Sequence, residues 1–205
     1  VAETAQGVEA DSTDLTQRIL LAQTIGELQQ LAFDTAELKG WHRDPINEQS
    51  VPLWCAMIHS ELSEALDAYF HGSEALGTEL ADVVIRIMDD CAQLGLDLEK
   101  GLTAILAQGT DGAGQKTVPG CQRLRPVSES LDVPLKIALA HFFVSQALEA
   151  DRKSQGPEAL LQALVRVVLL VMDICQAKGM NLDILLVNKM RANLERPYRH
   201  GGLQY

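Results

Sequence analysis

Apolar residues recur along most of this chain at the three-and-four spacing that gathers them on one face of an α-helix. The pattern predicts helices over about 13–38, 50–71, 74–94 and 98–108, and again over 130–153, 157–178 and 182–195. Between the two groups, residues 109–128 hold four glycines and two prolines with no apolar period, and they read as a linker. Residues 1–11 read as a loose polar leader. The expected organisation is therefore a leader (1–11), a first helical unit (12–108), the linker (109–128) and a second unit (129–205).

The two units repeat each other. Laying residues 74–98 on 158–182, an offset of 84, gives eleven identities, among them Val83/Val167, Met88/Met172, Asp89/Asp173 and Gly95/Gly179. Upstream, an offset of 82 pairs His59 with His141 and Ser63 with Ser145, and the two-residue difference falls in the turn between helices. Gly95-Leu96-Asp97 and Gly179-Met180-Asn181 each put a glycine where a helix ends at positive φ, then an Asx residue where the next is capped. A tandem helical duplication follows, with the halves expected about a pseudo-twofold axis.

Composition agrees with an all-α fold. Aromatic residues are 4% of the chain, while leucine and alanine dominate. Lysine plus arginine number 17 against 28 acidic residues, a formal net charge of −11, so no nucleic-acid partner is expected. Cys55, Cys91, Cys121 and Cys175 form no C-x-x-C pair, which suggests neither a zinc site nor a disulfide framework and fits a reducing, cytoplasmic setting. The longest apolar run, 167–172, is far short of the roughly 20 residues of a bilayer span, so no membrane association is expected.

Chemistry concentrates in four acids. Glu61 and Glu64 lie three apart on one predicted helix, and Glu79 and Asp82 lie three apart on the next. Residues at i and i+3 share a helix face, so an antiparallel pair can converge all four carboxylates. Anions held this close repel, and they either take up protons or bind cations. An all-oxygen set selects Mg²⁺ or Mn²⁺ over zinc. Asp82 sits in an apolar run and needs a partner, for which Arg86 at i+4 is the local candidate. No glutamate has a histidine three residues on, which disfavours a di-iron bundle site.

Three segments carry a family resemblance: His59-Ser-Glu61-Leu-Ser-Glu64-Ala-Leu-Asp67, then Glu79-Leu-Ala-Asp82-Val-Val-Ile-Arg86, then Asn188-Lys189-Met-Arg-Ala-Asn193-Leu-Glu-Arg196-Pro197. Together they resemble the MazG-like all-α nucleotide pyrophosphohydrolases. The resemblance implies a helical bundle whose acids hold magnesium, manganese being a substitute. It also implies a metal-activated water that splits a nucleoside triphosphate into monophosphate and pyrophosphate. Within the same superfamily a phosphoribosyl-ATP pyrophosphatase is the alternative enzyme, and a non-catalytic helical binding or assembly module is the alternative from another class.

The second half departs from the pattern. Glu61 and Glu64 become Phe143 and Gln146, Glu79 and Asp82 become Ala163 and Arg166, while Lys189 and Asn193 correspond to Ile105 and Gly109. One half keeps the acids and the other keeps the cation and amide donors. A single composite site per chain is therefore expected, with Lys189, Asn193 and Arg196 meeting phosphates opposite the carboxylates, either within the chain or across a homodimer. On that basis, loss of Lys189 is expected to leave Mg²⁺ affinity without nucleotide nearly intact. Trp41 and Trp54 flank the acid-bearing helix and either stack a base or pack the core. His59 reads as a structural or supporting histidine, and Arg199 and His200 as phosphate contacts or a solvated tail.

Overall fold

The computed structural model describes residues 2–42, 45–47, 49–108 and 131–201, and among these it contains eight α-helices and no strand. They are α1 (Ala2–Leu21), α2 (Ile25–Leu38), α3 (Ser50–Phe70), α4 (Leu76–Gln93), α5 (Leu98–Gln108), α6 (Val133–Arg152), α7 (Pro157–Ala177) and α8 (Leu182–Glu195), followed by a single 3₁₀ turn, Tyr198–Gly201. The protein is all-α. The linker 109–128 and Cys121 lie outside the described residues.

The N-terminal region differs from the sequence expectation. In place of one helix over 13–38, two helices meet at Thr24, whose hydroxyl accepts from Glu27 N (3.1 Å) while the Glu27 carboxylate accepts from Thr24 N (3.0 Å). This reciprocal capping box starts α2 and ends any continuous helix through the position. The expected leader falls within α1, whose downstream residues Leu15 and Ile19 reach the core.

The other six helices agree with the apolar pattern to within three residues at each end. Both interhelical corners form as expected. Gly95 and Gly179 have φ of 66° and 68°, and Leu96 N and Met180 N bond back to Cys91 O and Cys175 O, both at 2.8 Å. The Asx caps follow, with Asp97 Oδ1 accepting from Lys100 N (2.8 Å) and Asn181 Oδ1 from Ile184 N (3.1 Å).

α3 packs on α4 and α6 on α7, each pair being a hairpin with a short turn, and α3 lies against α6. The last helix of each half crosses over: α8 packs on α4, and α5 on α7. Leu62, Leu80, Val83, Ile87 and Met88 from the first half share one apolar core with Ile137, Val144, Val167 and Val171 from the second. No helix among the described residues is long and apolar enough to cross a membrane.

Candidate functional site

α3 and α4 are each buried along one stripe, and the acids sit at its edge. Glu61, at 8% exposure, is among the few buried charged residues. Three carboxylates, those of Glu61, Glu79 and Asp82, offer oxygens that all lie within 4.8 Å of one another. Glu64 lies one turn along α3 and stays outside this trio; it is exposed and accepts a bond from Ser60 Oγ at 3.4 Å. The convergence is thus of three acids, with Glu64 close enough for its charge to act on Glu79.

Two cations face the trio. Arg86 Nε donates to Glu61 Oε1 at 2.5 Å, bridging α4 to α3. Lys189 Nζ, on α8, stands 2.5 Å from Asp82 Oδ2, and both side chains are largely buried, at 11% and 15% exposure. The i+4 pairing of Arg86 with Asp82 therefore does not form. Asp82 is taken by a lysine 107 residues away, and Arg86 turns to the neighbouring helix instead. Glu79 makes no ion pair among the described residues.

Electrostatics follow from this packing. Burial raises the Glu79 carboxyl above its ordinary range, the Asp82 charge adds to that, and Lys189 opposes it. Asp82 is also raised, chiefly by burial, and its bond to Lys189 pulls it partway back. Beside the trio, between α3 and the start of α4, opens a cleft of ≈ 510 Å³ walled by Ser60, Ser63, Glu64, Asp67, Ser73 and Glu79. The trio offers hard oxygen donors and no sulfur or nitrogen, which suits a divalent cation of the magnesium or manganese type.

Lys189 is joined on α8 by Asn193, whose Oδ1 is buried with no hydrogen-bond partner among the described residues. Arg196 caps α8, and its carbonyl accepts from Lys39 Nζ. Trp41 is half-buried beneath the Arg199 guanidinium, 5.9 Å from the ring centroid, so its ring is engaged with the tail. Arg199 is no solvated tail residue: its backbone N donates to Lys39 O and its Nε to Gly40 O, both at 3.0 Å. Trp54 packs on the core, and His59 meets His141 across α3 and α6. The side chain of His200 lies outside the described residues.

Two features escaped the sequence. Lys39 is buried at the end of α2 with its ammonium on the carbonyls of Leu194 and Arg196. His42 Nε2 donates to Asp89 Oδ1 at 2.8 Å. A lysine directly before a helix-ending Gly40 is a local signal for a stop, but nothing local says which carbonyls it will meet. Comparison with known proteins returns no match: no family model, no curated protein and no solved structure corresponds to this chain.

Proposed function

We propose that this chain is a divalent-metal-dependent nucleoside triphosphate pyrophosphohydrolase, built from two fused MazG-like repeats with one working site. One observation carries the reading: a carboxylate trio from α3 and α4 faces a lysine delivered by α8, from the other half of the chain. Glu61, Glu79 and Asp82 would hold Mg²⁺, which when bound supplies polarisation of phosphoryl oxygens and a more acidic bound water. Glu64, outside the trio on the cleft wall, is the carboxylate left to take a proton from water. Lys189 and Asn193 would meet the phosphate chain opposite the acids, the ammonium as a point charge and the amide as a donor. Arg196 adds a further cation at the end of the same helix.

The competing reading is a structural ion-pair network. Arg86 and Lys189 offset two of the three negative charges and leave Glu79, half-buried with its carboxyl raised, without an ion pair among the described residues. A site that is only structural gains nothing from that remaining carboxylate.

Matched contacts support the duplication. Each half gives its last helix to the other, α8 to α4 and α5 to α7. A Cβ on Gly77 would meet the Leu185 methyls at 3.1 Å, and one on Gly101 would meet Leu161 Cγ, also at 3.1 Å. These are the same two positions at the 84-residue offset with glycine and leucine exchanged. His59 and His141 stack with centroids 4.9 Å apart, as equivalent residues on a twofold axis do. Where the first half has Glu61 and Asp82, the second has Phe143 with the Arg166 guanidinium 5.7 Å above its ring. That counterpart holds buried Phe143 and Ala163 and no carboxylate at any of the four matched positions.

The test is product analysis. A panel of ribo- and deoxynucleoside triphosphates with Mg²⁺ should yield monophosphate and pyrophosphate, and chelation should abolish it. Release of orthophosphate, or no turnover on any member, refutes the assignment.

A further inference from the structure

α4 and α8 lie side by side, and two direct contacts and one bridging segment, at rising positions on both helices, fix their register. Gly77 meets Leu185, Asp82 meets Lys189, and beyond these a short segment, residues 39–42, joins Asp89 of α4 to the end of α8. Numbers climb together on the two helices, so they run in the same direction past the acid trio.

The joining segment is tightly made. Lys39, at 9% exposure, gives its ammonium to Leu194 O (2.5 Å) and Arg196 O (2.8 Å), two carbonyls at the C-terminus of α8. Helix-end carbonyls lack intrahelical partners and carry the negative end of the helix dipole, so a buried cation is well placed there. Gly40, at φ 79°, leaves room for the Tyr198 ring, which a Cβ would meet at 2.1 Å. Arg199 bonds back to Lys39 O and Gly40 O. His42, two residues past Gly40, is held by Asp89, packs its ring at a tilt against Phe33 with centroids 4.5 Å apart, and has a buried Nδ1 with no partner among the described residues.

We infer that residues 39–42 are a clasp that sets how α8 presents Lys189 to the acid trio, with Lys39 as a positioning residue. The inference deepens the pyrophosphohydrolase reading and rests on it for its meaning, but the geometry stands without substrate. Leu194 lies five residues beyond Lys189, about 7.5 Å along the helix, so release at the clasp is felt within two turns of the site. Lys39 touches neither the trio nor, on this account, the nucleotide; it acts through α8.

Amine labelling of the metal-free full chain, read by mass spectrometry, tests this directly. Lys189 is protected by Asp82, and Lys136, buried on Asp173 at 2.7 Å in the other half, is an internal control for the fold. In Lys39→Met, labelling of Lys189 should rise about tenfold while Lys136 stays protected. Lys39→Arg, which keeps donors for both carbonyls, should restore protection. His42→Phe keeps an aromatic ring against Phe33 but loses the bond to Asp89, and it should expose Lys189 in the same selective way, so the idea stays testable if Lys39→Met fails to fold. Unchanged Lys189 labelling, or Lys136 and Lys189 exposed in parallel, overturns the clasp. With turnover in hand, Lys39→Met should raise KM more than it lowers kcat, and the effect should vanish in a Lys189→Met background. If the wild-type chain hydrolyses no nucleotide, the enzymatic reading fails while the labelling result still decides the clasp.

Discussion

Replacing Lys189 with methionine separates the fold's use of this lysine from a metal's. The ammonium sits 2.5 Å from Asp82 Oδ2 with both side chains mostly out of water. At an effective dielectric of about 20, unit charges about 4 Å apart attract by about 4 kcal/mol, and desolvation of both groups offsets much of it. Removing one partner strands Asp82 beside Glu61 and Glu79. Because its carboxyl is already raised by burial, Asp82 can escape part of the penalty by taking a proton. The expected net loss is about 1–3 kcal/mol at pH 7 without metal. The sign with pH follows: in the variant the folded-state carboxyl is raised further above the unfolded value, so the loss is small below the ordinary carboxylate range and grows as pH rises through it. Metal binding should move the other way. The direct contact leads us to expect a change in affinity where the sequence suggested none, since a cation entering the trio contends with the ammonium on Asp82. Without that charge Mn²⁺ should bind about tenfold tighter, a gain near 1.4 kcal/mol. Calorimetric titration with Mn²⁺, and urea unfolding in chelator from pH 4 to 8, measure both effects. A variant as stable as wild type at pH 7, or one that binds Mn²⁺ more weakly, refutes this account of the pair.

On the pyrophosphohydrolase reading, Glu79→Gln should lower nucleotide turnover by about 10²-fold or more with the fold intact, because it removes one charge from the trio while relieving repulsion from Asp82; circular dichroism with a turnover assay checks both. Asp90 is a buried carboxyl on α4, raised well above its usual range by burial and by Asp89. A raised folded-state value means that stability falls as pH climbs from the unfolded value, so Asp90→Asn should match wild type near pH 4 and exceed it by about 1–3 kcal/mol at pH 8, read from urea midpoints. At the exchanged glycine–leucine contact, Gly77→Leu should destabilise by about 1–3 kcal/mol, and adding Leu185→Gly should recover part of the loss; strictly additive costs in the double-mutant cycle count against equivalence of the two contacts.

Local signals were legible in the sequence and distant ones were not. Periodicity placed six of the eight helices, and Gly95 and Gly179 marked their corners because a positive-φ helix end favours glycine whatever packs around it. The break at Thr24 was missed although Thr24 and Glu27 carry the capping-box spacing, because Leu20, Leu21, Ala22 and Ile25 carry apolar residues across it and mask the half-turn change of face between Ile19 and Leu28. The i,i+3 acids converged as a shared helix face allows, apart from Glu64, which stays exposed on α3 outside the trio. Partner choice was the part not written locally. Arg86 had Asp82 one turn away and bonded Glu61 instead, since Lys189 already occupied Asp82 from a helix at the far end of the chain. Lys39 and His42 belong to the same class, set by tertiary placement of Leu194, Arg196 and Asp89.

The crossover of α5 and α8 gives the complementary losses a physical logic on the repeat reading. If each half kept its last helix, Lys189 would face Arg166 and Ala163, and the acids would face Ile105. Because the helices cross, Lys189 meets Asp82, while buried Ile105 lies on the α5 that packs against α7. A carboxylate cluster destabilises the fold by mutual repulsion and burial unless a cation answers it, so a second cluster is a liability once one suffices. Converting its positions to Phe143, Ala163 and Ile105, all buried, turns that liability into apolar contact, and the Arg166 guanidinium lies over the Phe143 ring rather than unpaired. Such a loss is open to a fused chain and closed to a homodimer of identical subunits, where every erased acid would vanish from both sites at once.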